Sequence, residues 1–216
     1  TVPDGSAFKT VSVAARGFYA LEFLLFDAQF ANENADAYQC ALTQAVAQDI
    51  ATTSAAIRSG WVESYAKVMA EAGNDTYRTK TEAARQLFTA LSTGLEFTSQ
   101  ARIGRPIGTF DRPRPTRAEA RRSERSLRHV VLSLEATREL ATLLSGGNER
   151  LDQAFEVALQ RAENLDDPVF ASVSEPQSRL KVEVLQQNIE KIRAILAEEV
   201  GPSLGVAAGF NSLDGD

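Results

Sequence analysis

Cysteine, histidine, methionine and tryptophan each occur once in 216 residues, and each scarcity removes a kind of chemistry. With Cys40 alone there is no intrachain disulfide and no thiolate cluster for zinc. Its helical surroundings, Ala37-Tyr38-Gln39-Cys40-Ala41-Leu42, suit a small buried core residue. With His129 alone there is no His-Glu-x-x-His pair and too little to build a Ser-His-Asp or Cys-His system, and a phosphate-binding loop is missing as well. His129, in Ser126-Leu127-Arg128-His129-Val130, reads as a partly buried structural side chain on a helix. No apolar run approaches the roughly 20 residues that span a bilayer, and no signal-peptide pattern opens the chain. Thr1 stands where an initiator Met would, which fits a processed or trimmed chain whose targeting segment has been shed.

What is present favours helix. Apolar residues make up 44% and charged residues 24%, an ordinary globular balance, so a packed core is expected. Alanine, leucine, glutamine, glutamate and arginine dominate, while glycine and proline gather in a few places, so the expected class is all-α. The formal charge of −6 argues against a nucleic-acid partner. One basic island stands apart: Arg102, Arg105, Arg112, Arg114, Arg117, Arg121, Arg122, Arg125 and Arg128 face only Asp111, Glu119 and Glu124. Such asymmetry within a chain more often makes internal or interdomain salt bridges than a ligand site.

Periodicity divides the chain into helices. Residues 11–30 are apolar on all sides, the pattern of a central bundle helix. Residues 35–72 carry apolar side chains at three- and four-residue intervals, with a bend expected near Ser59-Gly60. Gly73-Asn74-Asp75 is a stop, and residues 79–98 are helical again. Residues 101–115 hold Gly104, Pro106, Gly108, Pro113 and Pro115 and read as a linker between a first bundle region, 1–100, and a second, 116–216. Thr116 with Glu119 three residues later forms a capping-box pattern for a helix running to Gly146-Gly147. Helices over 148–164 and from about 174 to 200 follow, and then a glycine-rich tail.

The chemistry concentrates in Gly17-Phe18-Tyr19-Ala20-Leu21-Glu22-Phe23-Leu24-Leu25-Phe26. On a helix Tyr19 and Glu22 share a face. A buried Glu22 without a partner would cost several kcal/mol, roughly, so it must pair, take up a proton or bind a cation. Two readings stay open: an ion pair with Arg16 or one of the Arg102 to Arg128 group, or an oxygen-donor site for a hard cation, with tyrosinate as a partner for ferric iron. At the C-terminus, Asn211, Asp214 and Asp216 offer further oxygens without the spacing of an EF-hand loop. Alone they read as a capped turn or frayed end.

Three segments resemble the imelysin-like family. Gly17-x-Tyr19-x-x-Glu22 with the apolar run after it resembles the family's Gly-x-His-x-x-Glu signature. Arg121-Arg122-Ser123-Glu124-Arg125-Ser126-Leu127-Arg128, with Arg125 and Arg128, is similar to its mid-chain helix start, and residues 204–216 are similar to its C-terminal loop. The resemblance implies two packed four-helix bundles, the first lacking helices that family members carry ahead of Thr1. It also implies a bacterial envelope protein, periplasmic or held at the outer membrane by a lipid anchor on such an extension, without a transmembrane span, and often linked to iron. By position Glu22 matches the family's glutamate, and Tyr19 stands where the family has histidine. The family carries a metallopeptidase label, but a neutral phenol is a weak zinc donor near neutral pH. The expected function is therefore a non-enzymatic iron or cation site at Glu22 and Tyr19, with Asn211, Asp214 and Asp216 contributing, in iron uptake or homeostasis. The alternatives are a metal-dependent peptidase and a degenerate member that binds a small ligand or other envelope proteins without metal.

Overall fold

The computed structural model describes residue 8, residues 10–30 and residues 37–206. Helix makes up 76% of the structure, and the described residues contain no sheet, so the all-α expectation holds. The chain forms two compact units, one ending at Glu71 and one beginning at Ala72.

In the first unit a short 3-10 turn, Val13–Ala15, leads into helix α1, Gly17–Phe26. Gly17 enters it at φ +80°, a left-handed conformation that a side chain would oppose. Helix α2, Ala37–Gly60, packs along α1, and Phe8, Leu24 and Val46 form the buried centre between them. Phe23 and Phe30 meet edge to face with centroids 5.3 Å apart. Beyond Gly60 the helix widens into a π turn, Trp61–Tyr65, and closes as α3, Ala66–Ala70, next to the bend expected at Ser59-Gly60. Helix α1 is not enclosed as its uniformly apolar sequence suggested. Phe18, Tyr19, Leu25 and Phe26 are all about half exposed or more, because α2 covers only one face of it within the unit. Cys40 is likewise exposed and not a core residue.

The second unit begins with the expected stop, where Asn74 Oδ1 accepts the backbone N–H groups of Thr76 and Tyr77. Thr79 caps helix α4, Lys80–Glu96, by accepting the Glu82 N–H, and the Glu82 carboxylate reaches back to the Arg78 N–H at 2.7 Å. These are the orphan donors of a helix start, met by side chains. A π turn, Phe97–Ile103, and a short helix α5, Gly104–Ile107, continue it. After a 3-10 turn, Pro115–Arg117, come α6, Ser126–Ser145, and α7, Glu149–Glu163, joined through Gly146 in the left-handed conformation and the Asn148 cap. Helix α8, Pro176–Ile195, with proline in its first turn, is followed by a π turn, Leu196–Val200. Contacts run from α4 to α6, α6 to α7, α7 to α8 and α8 back to α4, the ring of a four-helix bundle.

Two details differ from the sequence reading. The stretch 101–115 is no bare linker: Ile103, Pro106 and Ile107 are buried, and residues on both sides of it share one core. Helix runs on through Gly104 and Pro106 to Ile107, and irregular backbone begins only at Gly108. The helix expected from Thr116 starts ten residues later, at Ser126. Glu119 is drawn off the capping role by Arg102, whose Nε donates to its Oε1 at 2.5 Å, and Ala120 and Glu124 take positive φ.

Candidate functional site

Helix α1 positions the motif. Gly17 starts it, Tyr19 is 55% exposed, and Glu22 lies one turn further on, half-buried. Beside this turn Arg16 Nε and Nη2 donate to the two carboxylate oxygens of Asp49 on α2 at 3.0 and 2.7 Å. That fork holds the Arg16 guanidinium above its ordinary pKa through the hydrogen bond and the charge of Asp49 and ties the start of α1 to the middle of α2. The sequence showed Asp49 only as one position of a helical stripe, and nothing in its spacing marked it as a partner 33 residues away.

Tyr19 and Glu22 thus bring a phenol and a carboxylate to one face of α1. Asn211, Asp214 and Asp216 lie outside the described residues. Arg125 and Arg128 are exposed at the start of α6 in the second unit. Among the described residues no three His, Cys, Asp or Glu side chains gather closely enough to hold a metal ion. The donor chemistry on α1 fits a hard cation in kind, as two oxygens, and falls short of a complete coordination shell.

Sequence reasoning missed the polar side chains of the second unit, which centre on the π turn after α4. Ser99 Oγ and Gln100 Nε2 donate to Glu190 Oε1 at 2.5 and 2.9 Å, and Arg193 links Glu190 to Glu96 with two 2.7 Å bonds. Burial pushes the Glu190 carboxyl up. The Ser99 bond, the Arg193 charge and the Arg193 and Gln100 bonds outweigh it and hold Glu190 below the usual carboxylate range. On the next turn Arg102 donates to Glu119 and to Ser133 Oγ, and His129 Nδ1 lies 3.3 Å from Glu119 Oε1. His129 is therefore a half-buried member of a side-chain network, as its helical setting suggested. Glu96 and Glu119 are engaged by guanidinium groups from other elements, and Glu190 is reached by Ser99 and Gln100 from the π turn, so the networks fix the register of the bundle helices. The Thr98-Ser99-Gln100 run was the trace of the Glu190 network in the sequence, and the Arg102–Glu119 pair is an internal salt bridge of the kind expected of the basic island.

Two adjoining surface depressions, about 490 and 620 Å³, share Asn164, Leu165 and Lys181 beyond the end of α7. Two acids, Asp166 and Asp167, line the second, and Asp167 is already occupied. It accepts the N–H groups of Ala171 and Ser172 at 2.9 Å and the Ser172 hydroxyl at 2.5 Å, capping a 3-10 turn. No described helix is long and apolar enough to cross a membrane.

Comparison with known proteins agrees with the family resemblance. The Imelysin family model matches residues 2–196, which takes in both units. No curated protein and no solved structure matches the chain. With residues 2–196 of its 216 matched, the chain belongs to the imelysin family.

Proposed function

We propose that this chain is a non-enzymatic imelysin-family protein of the bacterial cell envelope that holds iron, or another hard cation, in iron uptake or homeostasis. Glu22 and Tyr19 are its first donors. The observation that supports this reading is the donor chemistry of α1, where an exposed phenol and a half-buried carboxylate stand one turn apart. Oxygen donors of this kind match ferric iron in charge and hardness. A zinc-water peptidase would need a good nitrogen ligand at position 19, and the phenol there is a weak one near neutral pH.

Glu22 would supply negative charge and Tyr19 a tyrosinate oxygen. The remaining positions would be filled by oxygens of a small ligand arriving with the ion. Bound ferric iron contributes Lewis acidity, which lowers the proton affinity of the phenol. Equilibrium dialysis of the full chain against ferric citrate, followed by elemental analysis, tests the reading. One equivalent of iron is expected, with affinity at least about tenfold lower in Glu22→Gln. Absence of retained iron, or equal affinity in the variant, rejects it.

The exposed Phe18, Leu25 and Phe26 on the same helix favour a second reading, a binding module that docks another envelope protein without metal. It predicts no stoichiometric metal in the dialysed protein. The peptidase reading is met by incubation with an unfolded substrate, where chelator-sensitive cleavage would restore it.

A further inference from the structure

In the second unit the chain reverses sharply after α5 and presents one aromatic side chain to solvent. Phe110 is 75% exposed. It sits at the tip of a turn closed by two backbone hydrogen bonds between Thr109 and Arg112, 3.3 and 3.1 Å long. Gly108 makes the turn possible: its φ is +61°, and a Cβ there would come within 2.4 Å of the Arg112 carbonyl oxygen.

Arg179 on α8, only 6% exposed, holds the base of the turn from beneath. Its Nη1 donates to the carbonyl oxygens of Ile107 and Thr109 at 2.7 and 3.2 Å, and its guanidinium carbon is 5.9 Å from the Phe110 ring centroid. On the far side the Arg114 N–H donates to the Pro106 carbonyl at 2.9 Å. The tip is therefore fixed before anything binds it.

The chain on either side of the tip is cationic. Arg105, Arg112 and Arg117 are exposed, Arg114 is half-buried, and Asp111 is the sole acid among residues 105–117 of a chain whose net charge is −6. Ile107 and Pro106, the neighbouring apolar side chains, are buried. A protein partner of ordinary kind would meet a patch of several apolar side chains around a central anchor. A single protruding ring on a turn whose flanking sequence is rich in exposed arginine instead matches a layered interface, apolar below and anionic above.

We propose that this turn is a peripheral anchor for anionic lipid headgroups, with Phe110 entering the interfacial layer and Arg105, Arg112, Arg114 and Arg117 meeting lipid phosphates. It is independent of the α1 site. Sedimentation of the full chain with vesicles of equal parts phosphatidylcholine and phosphatidylglycerol should show binding that high salt removes and that pure phosphatidylcholine does not support. Phe110→Ala should weaken it by about tenfold with unchanged helical circular dichroism. As a second readout, Phe110→Trp in a Trp61→Phe background should shift its emission to the blue on mixed vesicles and be quenched by brominated lipid. Binding unchanged by Phe110→Ala, equal binding to neutral vesicles, or an unshifted emission each overturns the proposal. Capture of polyglutamate without vesicle binding would overturn it too and point to an acidic protein partner.

Discussion

The two units solve the same packing problem with unequal means. Among the described residues the first unit encloses Phe8, Leu24 and Val46, while the second encloses two dozen apolar side chains around Phe155, Phe170 and the α8 row Leu185, Ile189 and Ile192. The second also locks its helices with the Glu190 and Glu119 networks, whereas the first relies on the Arg16–Asp49 fork. The lesson is a division of labour. The second unit has the core of a four-helix bundle, and Tyr19 and Glu22 sit on the unit whose described residues enclose the smaller core, so α1 is expected to open more readily than α8.

Truncation inside the two cores should give the largest contrast. Phe155→Ala removes a fully buried ring and is expected to cost about 3–5 kcal/mol, whereas Leu24→Ala, at the edge of a thin core that can close up, should cost about 2 kcal/mol. Chemical denaturation of both variants measures the difference, and equal losses would erase the contrast. In the same spirit, native-state hydrogen exchange should protect the α8 amides more than those of α1.

Next in size is the motif glycine. Gly17 sits at φ +80° with open space around it, so its requirement is conformational and not steric. Gly17→Ala should lose about 1–2 kcal/mol, and Gly17→Asn should lose less, because asparagine tolerates this region. If the two variants are equally stable, the left-handed entry to α1 is not what the glycine provides.

The smallest effect is a pH dependence confined to the second unit. The folded state holds the Glu190 carboxyl below its usual value, so its contribution is present above the unfolded carboxyl's pKa and is lost as pH falls through the lower folded pKa. The protein should therefore lose stability on acidification below about pH 4.5, and Glu190→Gln should flatten that part of the profile. Thermal melts of both proteins across the acid range provide the comparison, and parallel profiles would mean that other carboxylates set the acid limit.

Helix positions were legible in the sequence wherever a local signal fixed them. Asn74, Thr79, Asn148, Gly146 and Pro176 stop or start helices through their own side chains or backbone preferences, and the structure places them accordingly. Misreadings arose where a distant partner decides. Glu119 looked like half of a capping box because nothing local shows that Arg102 and His129 will claim it. The glycines and prolines of 101–115 signalled irregular backbone correctly only beyond Ile107, and burial of Ile103 and Ile107 depends on helices far away in the chain. On α1 the uniform apolarity promised enclosure, and the number of neighbouring helices is not written in its own residues. What the sequence could place was Tyr19 and Glu22 on one face of α1, because one helical turn separates them. Asp49, which anchors the adjacent turn, it could not place.

The central claim is that Tyr19 and Glu22 act together as oxygen donors to iron. Visible absorption during ferric titration of the full chain tests it most directly. The account predicts a tyrosinate-to-iron charge-transfer band that saturates at one equivalent and disappears in Tyr19→Phe. A titration without such a band, or a band that survives Tyr19→Phe, would contradict it.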